Sequence, residues 1–133
     1  MKTLIGILAL TLTPTLALAE SHGGTGDPDA GEKVFRKCKA CHAIGEGAEN
    51  KVGPELNGIV GRQVGHEPDF SYSDAMKAKG ADGTVWDAES LMAFLEKPKD
   101  YVPGTKMAFA GLRKEEERAD VVAYLATFPA PAE

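Results

Sequence analysis

The chain has 133 residues, 43% of them hydrophobic and 26% charged, and a formal net charge of −5. That length and balance suit one globular domain, and two cysteines are too few for a disulfide scaffold. No apolar run reaches the roughly 20 residues of a confident membrane span, and the acidic total argues against a general nucleic-acid binder. Aromatic residues amount to only 7%, a thin supply for a core of this size, so something besides side chains is expected to fill the interior.

The N-terminus reads as an export signal. Lys2 precedes an apolar stretch from Leu4 to Leu12, and Ala17-Leu18-Ala19 supplies the small residues at −3 and −1 of a cleavage site after Ala19. A retained anchor is the alternative, disfavoured by the shortness of the run and by Pro14. Cleavage removes 19 residues, one lysine and no acid, and leaves 114 residues at a formal charge of −6. The expected compartment is the periplasm, where a pair of free thiols requires an explanation.

Residues 20–30 are small, polar and glycine-rich and read as a flexible lead-in, with the remaining domain over 31–133. Asp27 or Asp29 can cap a first helix over about 29–41, with Val34, Phe35, Cys38, Cys41 and His42 on one side. Residues 43–68 carry six glycines and two prolines, a long loop region that needs something to wrap around. A short helix fits 73–79, starting at Ser71 or Ser73 and stopping at Gly80. A stronger one fits 88–97, capped by Asp87 and closed by Pro98. Residues 98–112 read as a second extended loop, and the last helix as 114–128, with Val121, Tyr124, Leu125 and Phe128 on one face. Glu115, Glu116 and Glu117 favour its N-terminus electrostatically. The fold class is therefore all-α: three to four main helices joined by long loops, poorly cored unless a large group is buried among them.

Cys38-Lys39-Ala40-Cys41-His42 is a Cys-x-x-Cys-His pattern, the attachment signature of c-type haem. On a helix, positions i, i+3 and i+4 project from one face, so two thiols can each add to a haem vinyl group while the imidazole reaches iron. A thioredoxin-like reading lacks the strand–helix context. A zinc site lacks a fourth ligand at matching spacing, His22 and His66 being poorly placed. The second axial position has five candidates: His22, His66, Met76, Met92 and Met107. His22 lies in the lead-in and His66 in a glycine-rich loop, while Met76 and Met92 suit core packing. Met107 lies on an extended loop fixed by Pro103, from which a flexible thioether can be aimed at a metal.

At these residues the chain resembles the class I cytochromes c, of the bacterial cytochrome c2 and mitochondrial cytochrome c kind. The matching segments are 31–42, Val52-Gly-Pro-Glu-Leu-Asn-Gly58, Gly61-Arg62, Phe70-Ser-Tyr-Ser-Asp74, Val85-Trp86, Pro103-Gly-Thr-Lys-Met-Ala-Phe-Ala-Gly111 and Glu117-Arg-Ala-Asp-Val-Val-Ala-Tyr-Leu125. The resemblance implies one haem c held by thioethers at Cys38 and Cys41, with His42 and Met107 as axial ligands to iron. It implies that Pro54 offers its carbonyl to the far nitrogen of His42, and that Arg62, Tyr72 and Trp86 hold buried propionates, with Thr105 among the haem-supporting residues. It places Gly31 and Phe35 against Tyr124 where the first and last helices cross. Phe94 and Met76 depart from the mitochondrial pattern, which has tyrosine and asparagine there, so the distal side loses polar groups.

With both axial positions filled, no vacancy remains for substrate, and one-electron cycling is the chemistry left. The resemblance implies an electron carrier rather than an enzyme, monomeric and soluble, with a bc1-type complex as donor and a reaction centre, terminal oxidase or periplasmic reductase as acceptor. It places Lys33, Lys37, Lys51, Lys99, Lys106, Arg113 and Lys114 around the exposed haem edge, a basic docking face on an acidic protein. The competing classes are a haem enzyme or gas sensor with an open iron site, and a cytochrome module within a larger complex.

Overall fold

The structure, a computed structural model, describes residues 25–130. The export signal at 1–19, His22 and the last three residues lie outside the described residues. Among the described residues five helices follow one another: α1 (Pro28–Phe35), α2 (Asp74–Ala81), α3 (Ala88–Glu96), α4 (Pro98–Tyr101) and α5 (Glu115–Ala126). The longest pairing among the described residues outside helices is a single antiparallel bridge, Gln63 with Val85, so the all-α expectation holds.

Helix ends follow side-chain chemistry. Asp27 caps α1 by accepting from the Asp29 N–H at 2.9 Å, with Pro28 in the first turn, where its missing N–H is not needed. Ser73 caps α2 through the Met76 N–H, and Asp87 caps α3 through the Ser90 N–H at 2.7 Å. Pro98 ends α3 and opens the one-turn α4, so the segment expected to be extended from residue 98 begins as a helix.

Helix α1 starts as expected, at Pro28 with Asp27 as its cap, but residues just ahead of it, read as a flexible lead-in, are already packed. The Asp27 N–H donates to Asp120 Oδ1 at 2.8 Å, and a Cβ on Gly26 would lie 2.2 Å from the Ala119 backbone. The same helix stops at Phe35, not near residue 41. From there Lys37 and Cys38 donate to carbonyls three residues back, at 3.0 and 2.8 Å, and the chain continues as tight turns.

Helices α1 and α5 form the backbone of the fold. Phe35 meets Tyr124 at 5.4 Å between ring centroids, and Tyr124 meets Phe128 edge-on at 5.0 Å. Helix α5 is buried on more than the expected face. Val121, Val122 and Leu125 are in the core, and the buried Arg118 donates from Nη1 to the Leu112 and Arg113 carbonyls. That guanidinium ties the loop entering α5 to the helix itself. A second cluster sets Trp86 against Phe94 in a tilted contact at 4.9 Å between ring centroids, with Tyr101 at 6.2 Å from each and the Lys79 ammonium over the Tyr101 ring at 4.3 Å.

Candidate cofactor site

The turn after α1 brings the thiols and the imidazole together. The N–H groups of Cys41 and His42 both donate to the Cys38 carbonyl, at 3.1 and 2.9 Å, so the i, i+3, i+4 relationship survives although the helix has ended. Both cysteines are free thiols. Cys38 is half-buried against the core and Cys41 is exposed. Burial pushes the Cys38 thiol up to about 11, Lys37 offsetting only part of that and Cys41 adding to it, so this sulfur carries its proton at neutral pH.

The His42 imidazole is held by a neighbouring loop. Its Nδ1 lies 2.7 Å from the Pro54 carbonyl oxygen. A carbonyl only accepts, so Nδ1 carries the hydrogen and Nε2 keeps its lone pair. Burial lowers the His42 pKa; the Pro54 bond opposes this and Lys51 adds to it. The ring is therefore neutral at physiological pH, as a metal ligand must be. Gly53 lies directly against the ring, where an added Cβ would come within 2.4–2.8 Å of three ring atoms. The loop is pinned to the thiol turn by Gly53 N–H to Cys41 O at 2.8 Å and Leu56 N–H to Ala43 O at 3.0 Å.

Arg62, Tyr72 and Trp86 form part of one network whose other members the sequence did not disclose. Arg62 pairs with Glu67 at 3.0 Å and with Glu55 at 3.4 Å, all three side chains being largely buried, and its Nη2 also donates to the Asn57 carbonyl. The Tyr72 hydroxyl accepts from the Glu67 N–H at 3.1 Å, and burial raises its pKa. Trp86 joins through the backbone, its N–H donating to the Arg62 carbonyl at 2.8 Å. Glu55 is held in turn by the Asn57 N–H at 2.7 Å. The two acids carry no spacing signal of their own, since their meeting at Arg62 depends on the path of the glycine-rich loops.

Met107 is half-buried and packs against the core on the loop after α4. Its N–H donates to Thr105 Oγ1 at 3.3 Å, and the Thr105 N–H donates to the Val102 carbonyl at 3.0 Å, so the loop is braced just before the thioether. Among the rival ligands, Met76 of α2 is buried in the hydrophobic core, Met92 of α3 is half-buried against that core, and His66 is exposed. Lys33, Lys37, Lys51, Lys99, Lys106, Arg113 and Lys114 are all exposed. Lys37 pairs with Glu117 at 3.1 Å, and Lys51 reaches the Lys39 carbonyl at 2.7 Å.

The residues of the turn fit a c-type haem: two thiols one turn apart and a neutral imidazole with its Nε2 lone pair available. Small, helical, loop-rich and built around such a turn, the molecule has the design of an electron-transfer haem protein. The Cytochrome c family model matches residues 28–129, and the chain belongs to that family. It is 56% identical over 100 residues to cytochrome c2 of Agrobacterium tumefaciens, covering 75% of this chain and 90% of that protein. It is 58% identical over 103 residues to cytochrome c-550 of Ancylobacter novellus, covering 77% and 96%. The solved structure of cytochrome c2 from Rhodospirillum centenum superposes with a TM-score of 0.75 at 42% identity, covering 78% of this chain and 99% of that one. The protein is thus an electron carrier rather than an enzyme, and its cofactor is haem c, covalently attached, with iron.

Proposed function

We propose that the chain is a soluble periplasmic one-electron carrier whose haem is attached through Cys38 and Cys41 and ligated by His42 and Met107. The observation that carries this reading is the His42 ring, fixed by Pro54 and backed by Gly53 inside a Cys-x-x-Cys-His turn. When bound, the haem supplies reversible Fe(III)/Fe(II) cycling. Cys38 and Cys41 would hold the haem through thioether bonds to its two vinyl groups. The Pro54 carbonyl keeps the proton on Nδ1, which orients His42 and strengthens Nε2 as a donor. The Thr105 hydroxyl and the Val102 carbonyl brace the loop that presents Met107. Arg62 and Tyr72 hold the propionate side, where Glu55 and Glu67 keep the guanidinium in place before any propionate is bound.

Electrons are received from a bc1-type complex and passed to a reaction centre, terminal oxidase or periplasmic reductase, by a monomer docking through its exposed lysines. Export follows from the signal at residues 1–19. Carbon monoxide tests the closed site. The reduced protein is expected to keep its visible spectrum under the gas, because Met107 would hold the iron and leave no room for carbon monoxide. Rapid formation of a carbonyl complex would identify an open-site haem enzyme or sensor instead.

A further inference from the structure

The peptide joining Pro54 to Glu55 is hydrogen-bonded on both sides. Its carbonyl accepts from His42 Nδ1 at 2.7 Å, and its N–H donates to Asn50 Oδ1 at 2.9 Å. A trans peptide is planar, with C=O and N–H pointing in opposite directions, so an acceptor on the N–H fixes the direction of the carbonyl. Hydrogen bonds in a chain also polarise one another. Accepting from the N–H leaves more negative charge on the carbonyl oxygen, which then draws harder on the Nδ1 proton. Asn50 is half-buried and lies on the same loop as Gly53 and Pro54. Only its Oδ1 can accept from an N–H, which settles which way the amide faces. The Glu55 side chain is held separately by Arg62 and by the Asn57 N–H, so Asn50 is the side-chain group acting on this peptide's own N–H.

We infer that Asn50 is a positioning residue for the proximal ligand: it orients and polarises the Pro54–Glu55 peptide and so raises the donor strength of His42. The inference rests on His42 ligating the iron, as proposed above. A stronger imidazole donor favours the oxidised state, so loss of the Asn50 acceptor is expected to raise the reduction potential.

The test uses intact haem-loaded protein and the variants Asn50→Ala and Asn50→Asp, in high salt to screen added charge. Asn50→Ala is expected to shift the reduction equilibrium at least threefold towards the ferrous state, roughly 28 mV at 59 mV per tenfold for one electron. It is also expected to move the His42 Nδ1 proton resonance of the reduced protein upfield, as its hydrogen bond weakens. Asn50→Asp restores an acceptor and is expected to return both readings to wild type or beyond it. Unmoved readings in Asn50→Ala, or an equal upward shift of potential in both variants, overturn the inference and leave Asn50 a structural residue only. Failure of the ligation reading is seen separately, as a wild-type reduced spectrum that is not six-coordinate low-spin.

Discussion

Position 31 touches position 120 so closely that only glycine fits. A Cβ on Gly31 would lie 2.0 Å from the Asp120 carbonyl oxygen and 2.7 Å from the Tyr124 Cβ. The oxygen belongs to the backbone of α5, so the overlap is relieved only by moving α1 away. Overpacking of this kind costs about 1–3 kcal/mol. Gly31→Ala is therefore expected to lower the unfolding free energy by about that amount with the haem spectrum intact, and Gly31→Val by more. A neutral Gly31→Val in denaturant melts would show that the crossing is loose.

Asp87 makes stability depend on pH. The Ser90 backbone N–H, helped by the Ser90 side chain, holds the exposed Asp87 carboxyl below its ordinary 3.8. A lowered carboxylate pKa stabilises the fold above the unfolded value and loses that contribution as pH falls through the folded one. Asp87→Ala should cost about 1 kcal/mol near pH 7, and the gap to wild type should narrow below pH ~4. Melts across that range check it, and a gap independent of pH contradicts the cap.

The Glu55–Arg62–Glu67 cluster predicts an asymmetric mutational cost. Arg62→Ala leaves the buried Glu55 without its cation, and breaking such a pair costs about 3 kcal/mol. Glu55→Gln removes a charge but keeps the amide oxygen for the Asn57 N–H, and should cost less than half as much. The double variant should recover part of the Arg62→Ala loss. Additive losses in a double-mutant cycle would mean the pair is not coupled.

These examples also show what sequence made legible. Asp87, Ser73 and Pro98 declared the ends of α2 and α3 because a cap or a missing N–H acts locally. The thiols and His42 were legible from spacing, and His42 does meet the Pro54 carbonyl that family resemblance assigned to it. The stop of α1 at Phe35 was hidden, since residues 36–41 contain no glycine or proline and suit a helix as well as a turn. The packing of the residues ahead of that helix was obscured by their glycines, although Gly26 serves contact with α5 rather than freedom. Asn50, Glu55 and Glu67 escaped notice because their partners are set by how two loops fold over each other.

Exposed lysines predict salt-dependent electron transfer. Exposed charges are screened beyond about 10 Å at 0.1 M salt, so steering to an acidic donor should fade as salt rises. Lys99→Glu and Lys114→Glu should each slow reduction by a bc1-type complex about threefold or more at low salt, and flatten the salt dependence. Stopped-flow rates insensitive to both salt and substitution would remove the docking face.

The most direct measurement is the long-wavelength spectrum of the oxidised protein, with and without Met107. Sulfur ligation to ferric haem gives a charge-transfer band near the red end of the visible. The band is expected in the wild type and absent in Met107→Ala, whose potential should also fall as the thioether is lost. Absence of the band from the intact protein, or its survival in Met107→Ala, would contradict His42 and Met107 as the axial pair.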